Sequence, residues 1–263
     1  MKVLFIGDIV GKIGRRIVKE KINYFVEKYN IDFVIANGEN ATHGKGLIYN
    51  HYNELINDGI DVITLGNHYD SKNEITRYID RVDRLVRPVN LVKPFPGEGS
   101  VIFDVDGINI RVTNILGEAF INEQVNNPYY AMLEVMSEEE NVNIDIIDFH
   151  GEATAEKMAF ARAFDGKVAA VLGTHTHVQT NDAHILPKGT AFISDVGMCG
   201  EYDSILGFET ESVVNKTIYG GEGKFQLHDE GQGLFSAVVI DIDEMTGLSR
   251  DIFSIYYIEE EEH

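Results

Sequence analysis

"KVLFIGDIVG" (residues 2–11) carries a buried-strand pattern straight into an acid. Four apolar residues lead to Gly7 and Asp8, after which Ile9, Val10 and Gly11 offer no second polar side chain. An acid where a buried strand meets a turn implies binding or catalysis. Its partners must therefore come from elsewhere in the chain, and the same pattern recurs. "NGEN" (37–40), "GNH" (66–68) and "GTHTH" (173–177) each follow an apolar run, and "DFH" ends another at His150. Asp8 and Glu39 are 31 residues apart, and Glu39 and Asn67 are 28 apart. Each interval is about one βαβ unit, ~30 residues. In such sheets the carboxyl ends of the strands share one edge, where ligands bind. Five strand ends then bring Asp8, Glu39, Asn40, Asn67, His68, His150, His175 and His177 to one rim.

The rest of the chain fits that frame. Strand-like runs cover 2–6, 33–36, 62–65, 108–114, 144–149, 168–172 and 190–193. Helical patterns cover 14–29, 47–57, 72–85, 129–136 and 152–164. In the first of these, Ile17, Lys21, Phe25 and Tyr29 follow the four-residue step, and Ile22 and Val26 widen the apolar face. Strands separated by helices predict an α/β fold. The last fifty residues alternate around turns, which predicts antiparallel strands. A single domain over 1–263 is expected, with a β-rich C-terminal part from about 207 to 258.

Of 263 residues, 43 are acidic and 22 basic, a formal charge of −21 that repels nucleic-acid backbones, so duplex nucleic acid is not an expected partner. No apolar run approaches the ~20 residues a membrane span needs. The N-terminus lacks the pattern of a secretory signal, and the single cysteine, Cys199, rules out an internal disulfide framework. Together these point to a cytoplasmic protein without a membrane partner. The terminal "EEEEH" is expected to be exposed and frayed.

Carboxylate, carboxamide and imidazole together suit manganese, iron or zinc rather than thiolate-preferring metals. Eight such groups exceed one ordinary site but fit two ions sharing a bridge. In "THTH" an extended backbone would point His175 and His177 the same way. A lone histidine after a strand is ordinarily a hydrogen-bonded structural group, and a lone "GD" is ordinary turn chemistry. Five such endings in one chain favour a metal centre.

The motif order GD, GE, GNH, H, GTHTH resembles the calcineurin-like metallophosphoesterase superfamily. "FIGDIVGKIGRR", "ANGENATHGKGL", "HGEATAEKMAFARAFDGKVAAVLGTHTHVQTNDAHILPKGTAFISDVGM" and "YDSILG" are similar, more narrowly, to the bacterial YmdB-like phosphoesterases, over nearly the whole chain. The resemblance implies a four-layer α/β/β/α sandwich of mixed sheets. It implies two metal ions, iron in the first place with manganese or zinc as alternatives. The implied activity is phosphodiester hydrolysis, with 2′,3′-cyclic nucleotides as substrate class. The broad superfamily has a histidine two residues after its first Asp. Here that place is Val10, and the narrower resemblance implies that Asn40 takes over as ligand. Carried over residue by residue, Asp8, Glu39, Asn40 and His177 would hold one ion, and Glu39, Asn67, His150 and His175 the other. Attack would come from a metal-bound hydroxide, with His68 as the general acid.

The alternatives are a phosphomonoesterase (a nucleotidase or protein phosphatase) and a catalytically weak regulatory protein on the same fold. Subunit number, a homo-oligomer included, stays open, as do the roles of His43, Lys45 and the Tyr69-Asp70-Ser71 segment. Cys199 is expected to pack, and His51, His184, His228 and His263 to be structural or exposed.

Overall fold

The structure, a computed structural model, describes residues 1–138 and 141–260. Strand β1 (Lys2–Ile6) lies inside the first sheet, with Val3 to Ile6 fully buried. Unbroken apolar character is what a strand covered on both faces requires. After Gly7 come the short β2 (Asp8–Ile9) and helix α1 (Gly11–Tyr29), whose buried face includes Ile13, Ile17, Ile22 and Phe25. Asn30, at φ 54°, ends the helix in the left-handed conformation common after a last turn. The chain then returns as β3 (Phe33–Asn37), parallel to β1. Next come α2 (Tyr49–Asn57), β4 (Val62–Thr64) and the edge strand β5 (Leu85–Val86).

The hairpin β6 (Ser100–Val105) and β7 (Ile108–Leu116) opens the second sheet, followed by α3 (Pro128–Ser137), β8 (Ile144–His150), α4 (Thr154–Ala163) and β9 (Ala170–Thr174). Then come β10 (His184–Ile185), β11 (Ala191–Ile193), β12 (Met198–Glu201), α5 (Thr210–Thr217), β13 (Gly233–Asp243) and β14 (Leu248–Ile258). The first sheet runs β2-β12-β13-β1-β3-β4-β5, with β14 paired to β13, and the second runs β10-β11-β9-β8-β7-β6. Both mix parallel and antiparallel pairs, so the chain has the α/β fold with two mixed sheets that its sequence predicts.

Strand alternation sorts the core into layers. Val3, Phe5 and Val238 of the first sheet pack with Val112, Ile146 and Leu172 of the second. Leu4 and Ile6 face the other way, onto Ile17, Ile22 and Leu55 of α1 and α2. Ile147, Phe149 and Val171 turn from the second sheet onto Met132 and Phe160 of α3 and α4. Apolar faces are thus matched helix to sheet, sheet to sheet and sheet to helix. Among the described residues, no helix is long and apolar enough to cross a membrane.

Three expectations are corrected. Residues 72–85 form two 3-10 turns, Asn73–Arg77 and Ile79–Arg81, rather than one α-helix. Ile75 and Tyr78, three apart, bury together and suit three residues per turn, while Tyr78 Oη donates to Leu47 O at 2.8 Å. From 207 to 232 the chain holds α5 and turns, and strand begins only at Gly233, because "KFQLHDEG" lacks the apolar run of "GLFSAVVIDID". Glu259 of the expected frayed tail is instead gripped by Arg16, at 2.6 and 2.8 Å. Residues 261–263 lie outside the described residues.

Candidate metal centre

Asp8 opens β2, whose parallel pairing with β12 is extended by a bond from Asp8 N–H to Gly197 O (2.9 Å). Glu39 and Asn40 sit in the turn after β3, where Glu39 N–H donates to Asn37 Oδ1 (3.1 Å). Asn67 and His68 follow β4, His150 is the last residue of β8, and His175 and His177 follow β9. The rim is therefore composite: β1, β3 and β4 belong to the first sheet and β8 and β9 to the second. Space is tight where they meet. A Cβ on Gly66 would lie 2.3 Å from Glu39 Oε2 and 2.5 Å from His150 Nε2, so the residue before Asn67 must be glycine.

One local expectation fails. The segment after Thr174 is not extended, since His175 and His177 have φ of 107° and 64°. Its backbone is held instead by acids, with His175 N–H donating to Asp8 Oδ2 (3.1 Å) and Thr176 N–H to Asp195 Oδ2 (2.9 Å). The two rings go to different neighbours.

The side chains gather in two groups that share Glu39. In one, Asn40 Nδ2 lies 3.1 Å from Glu39 Oε1 and 3.0 Å from His177 Nε2, which is 3.8 Å from Asp8 Oδ1. In the other, His150 Nε2 lies 3.2 Å from Glu39 Oε1, 3.0 Å from Asn67 Oδ1 and 3.0 Å from His175 Nδ1. Ligand atoms of Glu39, His150 and His175 all fall within 4.8 Å of one another. Outward-facing ring nitrogens have their own partners: His175 Nε2 meets Glu152 Oε2 (3.2 Å) and His177 Nδ1 meets Leu206 O (3.0 Å).

Electrostatics show strong mutual dependence. Burial raises the Asp8 carboxyl to about 6 despite His177 and His150. Burial pushes Glu39 the same way, but His150 and His68 more than offset it and hold Glu39 at about 2. His150 is raised to about 9, because Glu39, Asp8 and Asp148 outweigh its burial, while burial and His150 push His175 down to about 3. Asp8 Oδ1 is buried without a hydrogen-bond partner. Clustered carboxylates and imidazole lone pairs, one carboxylate oxygen unpartnered, are a donor set that a cation completes. The residues fit divalent metal ions.

His68 is half-buried. Its N–H donates to Glu39 Oε2 (2.9 Å), and burial lowers its imidazole pKa, with Glu39 opposing and Lys45 reinforcing the shift. Lys45 is exposed in its glycine-flanked loop. His43 is exposed at φ 53°. Tyr69 is buried edge-on to Phe95, with its hydroxyl donating to Glu123 Oε1 (3.3 Å), and Asp70 is exposed. Val10 packs with Met198 and Leu234, so the place of the superfamily histidine is filled by core, and Cys199 is buried. Sequence reasoning passed over Asp148, Glu152, Lys157, Thr174 and Asp195. Two of these lie within two residues of His150 in "DFHGE", and Thr174 lies inside "GTHTH", which was the available signal.

Relatives of the whole chain are known. A Bacillus subtilis (strain 168) protein named 2′,3′-cyclic-nucleotide 2′-phosphodiesterase is 45% identical over 247 residues, covering 94% of this chain and 93% of its own. A Thermus thermophilus crystal structure, of a hypothetical protein, superposes with a TM-score of 0.91 at 37% identity, over 99% of this chain and 100% of that one. A Mycoplasma pneumoniae crystal structure described as a novel phosphatase gives 0.93 at 36%, over 99% and 94%. The family model described as YmdB-like protein matches residues 4–255. The chain belongs to the YmdB-like family.

Proposed function

We propose that this phosphoesterase hydrolyses small 2′,3′-cyclic nucleotides at a pair of metal ions. The observation that carries the reading is Glu39, whose Oε1 borders both groups of side chains, at 3.1 Å from Asn40 Nδ2 and 3.2 Å from His150 Nε2. A carboxylate has two oxygens and can serve two ions at once. Asp8, Glu39, Asn40 and His177 would hold one, with the Asn40 amide turned to present oxygen. Glu39, Asn67, His150 and His175 would hold the other. Iron is the first candidate, with manganese or zinc as alternatives that the same donors accept. When bound, the ions supply Lewis acidity that offsets phosphoryl charge and activates water.

His68, beside the ligands without being needed as one, would donate a proton to the leaving ribose oxygen. Burial lowers its pKa, which makes the ring a stronger acid, and an anionic phosphate alongside favours its protonated form. The cyclic substrate class comes from the B. subtilis relative. A cytoplasmic setting suits a chain whose one cysteine is a buried free thiol.

The test compares turnover of a 2′,3′-cyclic nucleotide with that of a nucleoside monophosphate by the metal-loaded enzyme. Cyclic substrate should win. Preference for the monoester would install the phosphomonoesterase reading, which the M. pneumoniae phosphatase favours. His68→Ala should keep its metal and lose roughly 10²–10⁴-fold in rate. An unchanged rate would remove His68 from the reaction.

A further inference from the structure

Asp148 lies in the strand that ends at His150, is fully buried, and has no part in the hydrolysis described above. Side chains from three other strands hold it. Thr174 Oγ1 donates to Oδ1 at 2.6 Å, and Thr64 Oγ1 and Asn37 Nδ2 donate to Oδ2 at 2.5 and 2.9 Å. The Asn37 amide is oriented by Glu39 N–H, which donates to its Oδ1 at 3.1 Å, so Nδ2 is the end that meets Asp148.

A hydroxyl has one proton. With the Thr174 proton committed to Asp148, Thr174 Oγ1 is left as an acceptor, and His150 Nδ1, 2.9 Å away, must donate to it. Neutral imidazole then has its proton on Nδ1 and a bare lone pair on Nε2. That lone pair lies among Glu39 Oε1, Asn67 Oδ1 and His175 Nδ1. We infer that Asp148, acting through the Thr174 hydroxyl, is a positioning residue that fixes the His150 tautomer, so that the neutral ring presents Nε2 to a divalent ion. This rests on the metal-centre reading. Asn37 and Thr64 belong to the first sheet, and Asp148, Thr174 and His150 to the second, so the same carboxylate ties the two sheets together behind His150.

Asp148→Asn keeps the shape and inverts the chain of bonds. Its carboxamide oxygen must stay toward the Asn37 donor, which turns the NH₂ group to Thr174. Thr174 then accepts from that group and donates to His150 Nδ1, which moves the imidazole proton to Nε2. In calorimetric titration of the metal-free protein with Mn²⁺ or Zn²⁺, affinity at the His150 group should fall about 10–100-fold, with the second ion retained. Long-range ¹H–¹⁵N spectra of the zinc-loaded protein should show a proton on His150 Nδ1 in wild type and in Thr174→Ser. If Asp148→Asn does not fold, Thr174→Val against Thr174→Ser carries the test, because only serine keeps the hydroxyl. Asp148→Asn binding as tightly as wild type, or Thr174→Val as tightly as Thr174→Ser, overturns the inference alone. A wild type that binds neither metal overturns the metal-centre reading and this inference with it.

Discussion

Glu39 and Asp8 are both fully buried acids a few ångströms from histidines, yet they should respond differently to removal. Glu39 touches both groups of side chains, whereas Asp8 Oδ1 approaches His177 at 3.8 Å and His150 only at 4.0 Å. Asp8→Ala or His177→Ala should therefore empty mainly one metal position, and Glu39→Ala should weaken both. Metal analysis after gel filtration counts ions per chain, and two full ions in Glu39→Ala would refute the bridging role. At this scale the sequence was informative for a physical reason. Each of the eight candidates lies at or just past the carboxyl end of a strand, and strand ends are visible as an apolar run stopping near glycine or asparagine. Asp148 was hidden because it sits inside such a run, in "DIIDFH", with partners from strands as far away as Asn37. The alternate directions of His175 and His177 were hidden too, because the bonds that hold this turn, from His175 N–H to Asp8 and from Thr176 N–H to Asp195, reach residues distant in the chain.

Element packing adds a second buried acid behind the histidine turn. Lys157 of α4 and Asp195 are each about 1% exposed and pair at 2.9 Å, and Lys157 Nζ also donates to Thr174 O at 2.8 Å. Asp195 in turn accepts from Thr176 N–H and Gly197 N–H, both at 2.9 Å. The pair thus grips the end of β9 and the first residues beyond it. Lys157→Met leaves a buried carboxylate without its cation, a change that costs about 3–5 kcal/mol. Urea unfolding of the metal-free protein should show that loss, and a cost below about 1 kcal/mol, the range of an exposed pair, would refute it. Helix α4 itself was legible from its periodicity. The buried lysine was not, because position 157 alone gives no sign that Asp195 lies opposite. Residues 72–85 failed for a related reason: their apolar spacing suits a helix, but Tyr78 is tied to Leu47 and the chain must reach the sheet edge as β5.

Across the whole molecule, the expectation of one rim holds only because two sheets converge. The first is completed by β13, which inserts antiparallel beside β1 from more than 200 residues away, and no local pattern announces that pairing. Closure of the same sheet extends to Glu259, just past β14. Arg16 of α1 meets both its carboxylate oxygens (2.6 and 2.8 Å), and Gly233 N–H donates to Oε2 at 2.8 Å. The hydrogen bond from Arg16 is the largest influence on Glu259 and, against partial burial, holds it at about 2 rather than the usual 4.5. A depressed folded-state pKa contributes stability that is fully present above the unfolded value and lost as pH falls. Wild type should therefore exceed Glu259→Gln in thermal midpoint by a constant margin above about pH 4.5, worth at most about 1 kcal/mol for a pair only partly shielded from solvent. Below that pH the margin should close as acidity approaches the folded value of about 2. Midpoints for both proteins across a pH series measure it. A margin that widens on acidification would mean that Arg16 and Glu259 do not hold the end of β14 to α1 through charge.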